Sequence, residues 1–145
     1  MNNRPRNIVL LLLLTSFFIS SAKAEHPSQI IPGLISGTPT KLVFLSIEKN
    51  KYIVSDIRSN RFVELPRHAK EQLIDSAEAK QVVVLATNQR FTAYSALTQA
   101  WSEIRTQAGE KIENIRAEDY AALVTTNQRL LNYNGANGVW TEYDR

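Results

Sequence analysis

Short apolar runs alternate with polar, turn-forming stretches at intervals of about ten residues, the pattern of an antiparallel meander. Lys41–Ile47 is apolar-rich and is interrupted by Glu48-Lys49-Asn50-Lys51. Tyr52-Ile53-Val54 follows, then polar residues to Asn60, then Phe62–Leu65 ended by Pro66. Gln81–Ala86 is the most apolar run beyond the N-terminal region, and continuous rather than alternating character predicts a strand buried on both faces. Phe91–Tyr94, Ala100–Ile104, Lys111–Ala117, Tyr120–Thr125, Arg129–Tyr133 and Val139–Tyr143 continue the series, with turns at Gly109, Glu118-Asp119 and Asn134-Gly135, the last with Asn137-Gly138 close behind it. Asn-Gly between apolar runs is a hairpin signal because both residues tolerate positive φ. The segment His68–Ala79 reads two ways: Ala69, Leu73, Ile74 and Ala77 fit one face of a short helix, whereas its place in the series asks for a strand around Leu73 and Ile74.

That place is set by an internal repeat. Thr87-Asn88-Gln89-Arg90 recurs thirty-nine residues later as Thr126-Asn127-Gln128-Arg129, and the same shift aligns Tyr94 with Tyr133, Trp101 with Trp140 and Glu103 with Glu142. A further shift towards the N-terminus places Lys51, Phe62 and Glu64 under Arg90, Trp101 and Glu103, with Glu48-Lys49-Asn50-Lys51 as a degenerate copy of the tetrapeptide. The units run over about residues 29–67, 68–106 and 107–145, each with four short strands, the tetrapeptide forming the turn between two of them. Repeats too small to enclose a core alone must stack on one another.

The fold class expected is therefore all-β: three tandem four-stranded antiparallel repeats. Ala121–Tyr143, with its strand, turn, strand ending in Tyr, turn and Trp-Thr-Glu, resembles blades of the kelch and quinoprotein β-propellers, as does Val82–Ile104 with Tyr94, a Thr98-containing turn and Trp101. The Gly-Gly pair of kelch repeats is absent, and nothing matches residues that hold a quinone, so the resemblance implies the blade shape alone and no cofactor. Three blades make half a ring, and two chains would close six, so this reading requires a homodimer. The alternative is a β-trefoil, complete in one chain. Gln99-Ala100-Trp101 resembles the Gln-x-Trp of ricin-type sugar-binding trefoils, but the triplet occurs once.

The N-terminus changes the charge argument. Arg4 and Arg6, the apolar run Ile8–Ile19 and Ala22-Lys23-Ala24 have the form of a secretory signal, cleaved after residue 24, the run being shorter than the ~20 residues of a membrane span. An exported protein of residues 25–145, periplasmic or secreted, is expected, with no membrane span. The chain has 17 Lys+Arg against 14 Asp+Glu, and removing Arg4, Arg6 and Lys23 leaves 14 of each. A neutral chain with interspersed signs gives no electrostatic basis for nucleic-acid binding. There is no cysteine, which excludes disulfides and thiol chemistry.

Candidate chemistry is sparse. Trp101 and Trp140 are candidates for sugar stacking, or for aromatic plugs between packed units; recurrence in every unit is what a structural role predicts. Arg90 and Arg129 with Lys51, and Glu103 and Glu142 with Glu64, form a basic and an acidic column, either lining a groove for a polar ligand or pairing across strands on a solvated face. Asn88 and Asn127 read as turn residues. His26 and His68 are the only histidines and have no ligand partners nearby in sequence, so no metal site is expected, and no nucleophile elbow or phosphate-binding loop is present. The function expected is a non-enzymatic binding or scaffold module that offers a repetitive β surface to a protein partner or to its own second copy. The alternative is a lectin-like carbohydrate binder.

Overall fold

In the computed structural model, which describes residues 40–145, the apolar runs become eleven β-strands, and the described residues contain no helix. The strands are β1 (Val43–Ile47), β2 (Lys51–Asp56), β3 (Arg61–Pro66), β4 (Leu73–Glu78), β5 (Val82–Thr87), β6 (Arg90–Ser95), β7 (Ala100–Arg105), β8 (Ile112–Glu118), β9 (Ala121–Thr126), β10 (Arg129–Asn134) and β11 (Val139–Asp144). They form three antiparallel sheets, each ordered as in the chain: β1-β2-β3, β4-β5-β6-β7 and β8-β9-β10-β11. Among the described residues no strand pairs through its backbone with a strand of another sheet, so each sheet is a self-contained meander. The expected cleaved signal lies outside the described residues.

His68–Ala79 is not a helix. Leu73–Glu78 pairs with β5, and a bulge at Ile74 pushes that side chain outward; β8 carries its bulge thirty-nine residues on, at Glu113. Of the hairpin turns, the one after β10 differs from expectation. The connection runs over residues 135–138, and the positive φ is at Gly138 rather than at the Asn134-Gly135 pair. Asn60, Gln99 and Gly138, thirty-nine residues apart, all have positive φ, so the turn geometry is kept where the residue type is not. Tyr120, expected to open a strand, sits in the turn before β9 and is exposed.

The sheets are stacked face to face. Alternation along each strand sends one set of side chains to each face, and the middle sheet is buried on both, as the unbroken run Val82–Thr87 requires. Val83, Leu85, Tyr94 and Ala96 pack with Val43, Tyr52 and Val54 of the first sheet. Val82, Val84, Ala86, Phe91 and Ala93 pack with Ala122, Val124, Leu131 and Tyr133 of the third. Each fully buried aliphatic side chain contributes about 1.5–3 kcal/mol, and these two inter-sheet cores are where the described residues concentrate them. Among the described residues, the outer sheets are covered on one face only.

Candidate functional site

The recurring tetrapeptide builds the most elaborate polar site, and builds it twice. Thr87 ends β5, and its Oγ1 accepts the backbone N–H groups of Gln89 and Arg90 at 3.2 and 3.0 Å, closing the hairpin. The next three side chains reach backwards to the loop, residues 67–72, that brings the chain from the first sheet to the second. Asn88 Oδ1 accepts the Gln72 N–H at 2.8 Å, and Gln89 Nε2 donates to the Ala69 carbonyl at 2.9 Å. Arg90 donates Nε to Glu71 Oε1 at 2.9 Å and Nη2 to Glu71 Oε2 at 3.0 Å. Its Nη2 also donates to the Pro66 carbonyl, the last of β3, at 2.7 Å, and its Nη1 pairs with Glu103 on β7. The guanidinium therefore fastens the second sheet to the end of the first.

The second copy repeats these bonds to within 0.1 Å. Arg129 donates to Glu110 Oε1 at 2.8 Å, to Glu110 Oε2 at 3.0 Å and to the Arg105 carbonyl at 2.7 Å, and pairs with Glu142. Gln128 Nε2 donates to the Ala108 carbonyl at 3.0 Å, and Asn127 Oδ1 accepts the Lys111 N–H at 2.7 Å. In the first sheet Lys51 takes the arginine's place and pairs with Glu64 at 2.6 Å. The position corresponding to Glu71 and Glu110 is Pro32, outside the described residues.

Both arginines are buried, at 3 % exposure, and the side chains of Glu71 and Glu110 are fully inaccessible. The reading of these columns as ion pairs on a solvated face is thus corrected for the arginines. Only the outer partners Glu103 and Glu142 are half-exposed. Burial pushes the Glu71 carboxyl up, but the Arg90 guanidinium, the His68 N–H and the Thr87 hydroxyl outweigh it and hold the group below its ordinary value. Glu110 is held down in the same way by Arg129, the Gln107 N–H and Thr126 against its burial. Both ion pairs stay charged in the folded protein.

Beside this tie a cleft of about 270 Å³ is bordered by His68, Gln89, Arg90, Glu103 and Arg105. Arg90 turns most of its donors away from it, towards Glu71 and Pro66. Among the described residues no cluster of three or more His, Asp or Glu side chains is placed to hold a metal ion.

Trp101 and Trp140 are half-buried and pack on the two inter-sheet cores. Trp101 lies tilted against Tyr94 with ring centroids 5.5 Å apart, and its indole N–H points to the Val63 carbonyl of the first sheet at 3.5 Å. Trp140 lies against Tyr133 at 5.2 Å. Phe62, the equivalent residue of the first sheet, has no sheet before it among the described residues and is 75 % exposed. Trp101, Arg90 and Glu103 thus gather on one face of the second sheet, and Trp140, Arg129 and Glu142 on the matching face of the third. The chain matches no family model and no curated protein sequence.

The residues that sequence reasoning did not single out are Glu71 and Glu110. Their separation of thirty-nine is the signal that identifies them, and Lys70 and Gly109, both with positive φ, mark the same loop in each unit.

Proposed function

We propose that the protein is an exported, non-enzymatic scaffold module made of propeller-like blades, which uses the uncovered faces of its two outer sheets to bind a protein partner or its own second copy. The observation that carries this reading is the contrast between the covered and uncovered faces. On the open face of the first sheet, Phe44 and Phe62 flank Ser55 in one cross-strand row, both exposed. On the open face of the third, Leu130 and Tyr143 share a row, with Val139 nearby and Tyr143 71 % exposed. Depletion of charge with aromatic enrichment is the compositional mark of an interface core.

Blades are preferred to a trefoil because every strand pairing among the described residues lies within one unit, whereas a trefoil barrel needs strands of different units paired with one another. The scaffold reading is preferred to the lectin because Trp101 and Trp140 are engaged with the inter-sheet cores and with Tyr94 and Tyr133.

Sedimentation velocity over a range of concentrations tests the proposal. A species larger than one chain is expected, lost on Phe62→Asp and Tyr143→Asp while the circular dichroism of a folded β protein is kept. A monomer at every concentration, with no effect of either substitution on any added partner, refutes it.

A further inference from the structure

We infer that the two open faces are the two halves of one interface and that their occupant is a second copy of this chain, docked head to tail, the first sheet of each copy on the third sheet of the other. The inference rests on the scaffold reading above and assigns the partner and the register.

The chain already makes two such interfaces with itself. Each joins the same two kinds of face. One kind is the row Ile47–Tyr52–Leu65 in the first sheet and Ala86–Phe91–Ile104 in the second. The other is Val83–Tyr94–Trp101 in the second and Ala122–Tyr133–Trp140 in the third. Continuing each series by thirty-nine residues gives the rows left uncovered. The first kind ends with Thr125–Leu130–Tyr143 on the third sheet, and the second begins with Phe44–Ser55–Phe62 on the first. A sheet-three face and a sheet-one face are therefore complementary by construction, whereas two faces of one kind are not.

Side chains agree with this register. Arg90 and Arg129 each donate to the carbonyl that ends the preceding sheet, at Pro66 and Arg105, and the next carbonyl in that series is Asp144. Lys51, in the arginine position, is placed to reach Asp144 of the second copy. Phe62, in the tryptophan position, brings no indole N–H, so its partner face need supply no equivalent of the Val63 carbonyl. Charge also fits: the third-sheet face carries Arg116 and Glu118, paired with each other at 3.2 Å, and the first-sheet face carries Lys51 and Glu64, paired in the same way, so neither face brings an unpaired charge to the junction. Because each copy has one face of each kind, two copies joined at both ends close a six-sheet assembly about a two-fold axis, and a geometry that failed to close would grow into filaments.

The absence of cysteine allows a clean test. Trp101 touches Val63 in the existing interface, and the positions corresponding to that pair at the proposed junction are Phe62 and Thr141. Phe62→Cys and Thr141→Cys are made separately and treated with a short bismaleimide, alone and after mixing under exchange. Covalent dimer is expected in the mixture and absent from either variant alone, and the double variant should give a single band at twice the chain mass. Self-cross-linking of Phe62→Cys alone means like faces meet, which overturns the inference but leaves the scaffold reading standing. A ladder of higher species overturns closure. No cross-linking from a sample that sedimentation shows to be dimeric overturns the register, and a monomeric sample refutes both readings.

Discussion

Replacing Arg90 by methionine isolates the tie between sheets. The substitution keeps much of the aliphatic stem and removes the guanidinium from Glu71, whose carboxylate is fully inaccessible and keeps only such donors as the His68 N–H at 2.6 Å. The Pro66 carbonyl loses its 2.7 Å donor at the same time. Removing one partner of a buried pair strands the other, at a cost of about 3–5 kcal/mol, a large part of the roughly 5–15 kcal/mol that holds a domain folded. Glu103 adds little to this sum because it is half-exposed. Urea unfolding followed by tryptophan fluorescence reports the loss directly, since Trp101 and Trp140 both sit at sheet interfaces, and protomer concentration is held constant because association would shift the midpoint. The companion variant Arg90→Met with Glu71→Leu removes both charges and should regain most of the loss, so the double-mutant cycle reads a strong coupling. A cost for Arg90→Met below about 1 kcal/mol, the value of an exposed pair, would refute the buried-tie argument, as would additivity of the two substitutions.

Further expectations concern acid, a hydroxyl and a glycine. Glu71 and Glu110 titrate below their ordinary values when folded, so the unfolded chain binds more protons in the window beneath the free carboxyl value of about 4.3. Stability is complete above that value and is lost as pH falls through the folded values; urea midpoints measured between about pH 3 and pH 6 should rise with pH, less so in the doubly substituted variant. Tyr94 Oη donates at 2.7 Å to Asp56, a buried carboxylate of the first sheet, so Tyr94→Phe should cost about 1.5–3 kcal/mol in the same assay. The matched Tyr133→Phe should be near neutral, because the Tyr133 hydroxyl has no hydrogen-bond partner among the described residues. A Cβ on Gly135 would lie 2.9 Å from the Tyr120 carbonyl and 3.0 Å from Val82, so Gly135→Ala should lower the unfolding free energy by about 1–3 kcal/mol.

Much of the architecture was legible because it is periodic. The run Val82–Ala86 announces a strand buried on both sides, and the thirty-nine-residue spacing overrides the helical pattern of His68–Ala79 in favour of β4. The tetrapeptide was legible as a turn but not as a tie. Nothing local distinguishes a surface arginine from Arg90. Its burial depends on Glu71, nineteen residues earlier and across the loop between sheets, and on a carbonyl of the neighbouring sheet. The tryptophans illustrate the opposite case: equal spacing in successive units already favoured a packing role, and their contacts with the inter-sheet cores follow it. Gln99 and Asn60 hide the recurrent left-handed turn because the glycine that marks it survives only at position 138.

In the proposed assembly the two open faces are two halves of one interface. Small-angle X-ray scattering of the purified protein, with mass taken from forward scattering, tests this most directly. The prediction is a compact particle of two chains whose mass stays constant as concentration rises. A single-chain mass throughout, or a mass that keeps growing with concentration, would contradict it.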